Sequence, residues 1–164
     1  MEELQFEVPG IAQPGGSKRA LPLRGKKGAR PIIVDANAKA RPWKDVVIHY
    51  ARKAMLHGDR KIFSGPVALC VRFALPRPKY HYGAGGKIKA SAPGLHTKKP
   101  DVLKLARALE DALTEAGVWI DDAQIVDEQL RKVYDSRPHV LVGIRQLSEE
   151  VMQCGRTSSR LTDS

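Results

Sequence analysis

Residues 101–115 constrain this chain more than any other stretch. Val102, Leu105, Ala106, Leu109, Ala112 and Leu113 recur at spacings of three and four, the period of one helical face. Gly117 supplies the stop. An apolar stripe of this kind has to be buried against another element, and the neighbouring periodicities say which. Residues 3–8 alternate and read as a first strand, and residues 66–75, PVALCVRFAL, read as a central strand. Residues 124–134 and His139–Gln146 read as two more strands. A second helix is expected over 42–56: Pro42 suits its first turn, Trp43, Val46, Val47, Tyr50, Ala51 and Ala54 form its apolar face, and His57-Gly58 ends it. The short run Pro31–Val34 reads as a strand that pairs back on the first. The expectation is an α+β fold: a single domain with a mixed β-sheet and two main helices packed on one face, spanning 1–147, with a polar tail over 148–164.

Two stretches interrupt this order. Gly15–Arg30 reads as an irregular basic hairpin with Lys18, Arg19, Arg24, Lys26, Lys27 and Arg30. Residues 76–99 read as a mobile loop, rich in Pro and Gly, with Lys79, Lys87, Lys89, Lys98 and Lys99. A net charge of +10 on 164 residues suits a polyanion, nucleic acid above all, or an acidic membrane surface, and these two stretches are the expected contacts to nucleic-acid phosphates. Tyr80, His81 and Tyr82 stand among the loop cations, either as stacking platforms for an unpaired base or as plain loop aromatics.

Other classes lose support. No run approaches the ~20 apolar residues needed to cross a bilayer, and the N-terminus MEELQFEVPG lacks the basic start of a signal peptide, so a cytoplasmic protein with no membrane contact is expected. No phosphate-cradling GKS/T loop is present, so no nucleotide cofactor is expected. His49, His57, His81, His96 and His139 show no metal-ligand spacing with one another or with the cysteines. Cys70 reads as a core thiol and Cys154 as a tail thiol. Trp43 and Trp119 read as core or interface anchors.

The acidic residues of interest lie at the ends of elements. Asp101 opens the helix of residues 101–115 after Pro100, and Asp121 and Asp122 stand in the turn beyond it. Carboxylates brought together there could hold a hard divalent cation, which activates water and neutralises a pentacovalent phosphate. Lys104 and Arg107, within two turns of Asp101, are candidates to clamp that phosphate. The structural alternatives are a helix N-cap at Asp101 and ordinary turn chemistry at Asp121-Asp122.

The stretch Lys99-Pro100-Asp101, Leu105, Arg107, Asp111-Ala112-Leu113, Gly117, Trp119 and Asp121-Asp122-Ala123-Gln124-Ile125-Val126 resembles the RusA family of Holliday-junction resolvases, without a gap from Lys99 to Val126. The resemblance extends through the flanking layout to about Gln146. It implies a RusA-like fold and a homodimer that binds four-way junctions and other branched DNA. It also implies paired symmetric nicks made with Mg²⁺, Mn²⁺ being able to substitute, and a bacterial, phage or prophage setting. By this resemblance Asp101 and Asp122 are the matching catalytic aspartates, Asp121 a supporting neighbour, and Arg107 stands where the family has a catalytic lysine. Two positions depart from the pattern: the family's second aspartate is Leu103, and Arg107 keeps the charge without the compact ammonium. Glu110, two helical turns from 103 on the same face, or Asp111 beside it, is the expected replacement carboxylate. The expected metal set is therefore Asp101, Asp122, Glu110 and Asp111. A junction-binding protein that has lost catalysis, and a plain basic nucleic-acid module, are the alternatives.

Overall fold

The computed structural model describes residues 2–15, 18–21, 32–35, 37–58 and 61–148, and for 18–21 and 32–35 the backbone alone. Lys26, Lys27, Arg30, Cys154 and nearly all of the polar tail lie outside the described residues, as do the side chains of Lys18 and Arg19.

Four strands form one mixed sheet in the order β1 (Glu3–Pro9), β6 (His139–Gln146), β4 (Val67–Pro76), β5 (Ile125–Asp135). β6 runs antiparallel to both neighbours, and β4 and β5 are parallel, joined by a crossover that contains helix α2 (Val102–Ala116). Helix α1 (Ala40–His57) packs beside α2 and on β1. The alternation read from the sequence sets which sheet face is buried. Leu4, Ile144 and Leu69 form one rank across the sheet, Phe6, Val142 and Val71 the next, and Val8, Val140 and Phe73 a third. Against these ranks lie Trp43, Val47 and Ala51 of α1 and Leu105, Leu109, Ala112 and Leu113 of α2. The opposite sheet face is open and carries Gln5, Cys70, Arg72, Gln129 and Arg145.

Two expectations are corrected. β3 (Ile32–Asp35) does not pair back on β1; it pairs antiparallel with β2 (Lys18–Leu21), the nearer strand in sequence, in a separate two-stranded ribbon. Cys70 is exposed, since it falls on the outward phase of β4 between Leu69 and Val71. Trp43 and Trp119 are core residues, 6% and 2% exposed.

The helices are joined on their outer seam by ion pairs. Arg41 makes two hydrogen bonds to Glu115, at 3.0 and 2.9 Å, and Lys44 reaches Asp111 at 2.6 Å. Gly117 closes α2 in the left-handed region at φ 79°, where a Cβ is strained. The turn Asp122–Gln124 then leads into β5. Among the described residues no helix is long and apolar enough to cross a membrane.

Candidate active site

The register of β5 decides which acids meet α2. Val67 pairs with Ile125, yet Ala68 pairs with Asp127, so Val126 is an extra residue that bulges the strand. Beyond the bulge Leu69, Val71, Phe73 and Leu75 face Glu128, Leu130, Lys132 and Tyr134. These four β5 side chains therefore share the sheet face that α2 covers, whereas an unbulged strand would have turned Asp127 and Gln129 that way.

One consequence is an acidic pocket of about 340 Å³ between α2 and the start of β5, lined by Glu110, Asp122, Asp127 and Glu128 among others. Glu110 is partly buried and hydrogen-bonded to the Glu128 carboxyl. Burial first, then Glu128, with Asp122 and Asp111 adding repulsion, pushes its carboxyl up to about 7. Glu110 and Asp122, both expected from the sequence, are brought together here. Glu128 was missed by sequence reasoning, as an acid on an exposed strand carries no periodic signal.

The second site lies at the other end of α2. Lys99, Pro100, Asp101, Lys104 and His96 line a cleft of about 690 Å³ with Ile11, Ala12, Pro14, Leu75 and Pro76. Asp101 occupies the N-cap position but accepts no capping hydrogen bond, so its carboxylate is free of that structural duty. Lys132 fixes the approach to the helix: its ammonium donates to the carbonyls of Lys98 and Pro100, both at 2.6 Å. Nine residues, or about 13 Å of helical rise, separate Asp101 from Glu110. Asp101 and Asp122 thus line separate pockets.

The remaining expected residues divide by what they touch. Asp121 is a capping residue: it accepts from the Ala123 amide at 2.8 Å, while Gln124 accepts from the backbone amides of Ile120 and Asp121 at 2.8 and 3.2 Å. The Gln124 amide also donates to the carbonyls of Phe63 and Gly65, at 3.0 and 2.9 Å. Asp111 is held by Lys44. Arg107 is exposed and makes no ion pair among the described residues, and Leu103 beside it on the same face is 69% exposed. Lys79, Lys87, Lys89, Lys98, Lys99 and Lys104 are exposed.

The loop between β4 and α2 is fastened over β5. Tyr134 donates its amide to Gly94 at 2.8 Å and His96 donates its own to Lys132 at 3.1 Å. Arg77 donates to the Pro93 carbonyl at 2.9 Å and lies over the Tyr134 ring. His81 is buried edge-on against Tyr134, so it is not an exposed stacking platform; Tyr80 is 61% exposed. Burial and the neighbouring Arg77 hold the His81 imidazole below its usual range, and burial with Lys132 does the same for His96.

Among the described residues no three acidic, histidine or cysteine side chains are grouped closely enough to ligate a single ion. The site is an acidic pocket and a cationic cleft strung along one helix.

Comparison with known proteins gives this arrangement its context. The family model for endodeoxyribonuclease RusA matches residues 14–145, most of the chain. A relative from Bacillus subtilis (strain 168), named "Uncharacterized protein YqaN", is 32% identical over 150 residues, covering 90% of this chain and 99% of its own.

Proposed function

The chain belongs to the endodeoxyribonuclease RusA family, and on that premise we propose that it is a divalent-metal-dependent resolvase that nicks branched DNA as a homodimer. The observation that carries the reading is the pairing of free carboxylates and free cations along α2. Glu110, Glu128 and Asp122 line one pocket, where burial first and then the neighbouring Glu128 and Asp122 push the Glu110 carboxyl up to about 7. Oxygen donors that repel one another suit a hard cation, and Mg²⁺ needs only one or two carboxylates because it keeps several waters. Glu110 and Glu128 would hold the ion, Asp122 on the same lining would accept from its waters, and when bound the ion would supply Lewis acidity at a phosphate of the strand lying along α2.

The chain's own residues do the rest. Lys99 and Lys104 neutralise the phosphodiester at the cleft. Asp101, uncapped and facing the same cleft, accepts the proton of the attacking water. Arg107, between the two sites, stabilises charge that develops on the phosphate but cannot act as a proton donor. Asp121 and Asp111 serve structure, through the turn and through Lys44. In this reading Asp101 works in the cationic cleft and Glu128 takes its place in the metal set.

Leu103, exposed where the family has an acid, favours one rival: a junction-binding protein that does not cut. A labelled four-way junction incubated with Mg²⁺, Mn²⁺ or EDTA separates them. Paired, metal-dependent nicks are expected; tight binding without nicks in any metal and with several junction sequences favours the rival.

A further inference from the structure

The cleft at the head of α2 is built for more than a phosphate. Lys99, Asp101 and Lys104 account for one side of it, but Ile11, Ala12, Pro14, Leu75 and Pro76 give it an apolar floor. A phosphodiester gains nothing from apolar surface, whereas the flat face of a nucleobase does. The volume, about 690 Å³, lies in the range of small-ligand sites. His96 also lines the cleft, and its Nδ1 is buried without a hydrogen-bond partner.

Position adds a second argument. Both basic segments spring from the rim. Pro14 and Asn37 flank the first, and the Asn37 amide donates to Gln13 Oε1 at 3.2 Å and to the Pro14 carbonyl at 3.3 Å, which ties its two ends together. Pro76 and the stretch from His96 to Pro100 flank the second. DNA drawn in by those cations therefore meets the cleft first.

We propose that this cleft receives the base of one nucleotide unstacked at the branch point, with Lys99 and Lys104 on its flanking phosphates and the cut made beside it. The inference rests on the nuclease reading. A base at a branch point is already poorly stacked, so extruding it costs less than from intact duplex. The apolar floor selects for a planar ring without reading its sequence.

The test uses the full chain and four-way junctions carrying 2-aminopurine, one position at a time, around the branch, in EDTA. Unstacking raises the fluorescence of this base several-fold. A rise is expected at one nucleotide per strand pair on binding. Ile11→Trp narrows the cleft from a half-exposed position, and His96→Phe keeps the ring against Tyr134 while removing its nitrogens. Both are expected to suppress the rise and slow cutting while the junction stays bound through the basic segments. A junction bound in EDTA with no rise at any position, and nicked once Mg²⁺ is added, overturns the proposal and leaves the nuclease reading intact. An equal rise with both folded variants also overturns it, because the base is then unstacked elsewhere. No junction binding at all overturns both.

Discussion

The aspartates at the two ends of α2 do different work, and substitution separates them. Asp101→Asn removes a carboxylate that makes no capping bond, so thermal stability should hold while cleavage falls by about two orders of magnitude or more. Asp121→Ala removes the acceptor of the Ala123 amide and should cost about 1 kcal/mol by denaturant titration. Glu110 gives a pH signature. Its carboxyl ionises near the ordinary 4.5 when unfolded and near 7 when folded. Between those values the folded chain holds the extra proton, so stability falls as pH rises through the window and levels off above it. Melting from about pH 5 to about pH 8 should show that decline in the wild type and a smaller one in Glu110→Gln. The same proton competes with a cation, so Mg²⁺ affinity should rise across about pH 7. A pH-independent affinity would remove Glu110 from the metal set.

Among the elements, the turn Asp122–Gln124 is the one whose chemistry reaches furthest. One Gln124 side chain makes four hydrogen bonds, two within its own turn and two to the segment before β4. Gln124→Ala should therefore cost about 2–4 kcal/mol, measured by urea unfolding, and should weaken cutting even where the protein stays folded, because Asp122 rides on that turn. The helices and long strands were legible because burial repeats within them: residues 42–56 lie within the first observed helix, 101–115 matches Val102–Ala116 to one residue at each end, and His139–Gln146 is the observed strand. The bulge at Val126 was not legible, since one extra residue changes the facing of everything after it without altering the local alternation. That is why Glu128 went unseen while Glu110, on a helix of clear phase, did not. Cys70 was misread for a related reason: an unbroken apolar run does not declare which of its residues point outward.

Across the whole molecule, charge is divided sharply. Residues 15–36 and 77–99 together hold twelve of the 28 Lys and Arg but one of the 18 acidic residues, which leaves sixteen basic and seventeen acidic side chains elsewhere. The body is near neutral and the excess sits on the two segments that border the cleft. Binding to DNA should accordingly be steeply salt-dependent, and Lys99→Ala with Lys104→Ala should lower the slope of log affinity against log salt by about two. An unchanged slope would take those lysines off the phosphates. The first of these segments is also anchored at its start. The Gly15 amide donates to the Lys104 carbonyl at 2.9 Å, and a Cβ at 15 would lie 3.0 Å from that of Ala108. The chain that leads into the ribbon is thereby riveted at Gly15 to the helix that holds both halves of the site. A methyl group there would act as a wedge, prising the arm off its fulcrum and mis-aiming its grip on the strand from a distance, with every catalytic side chain still in place.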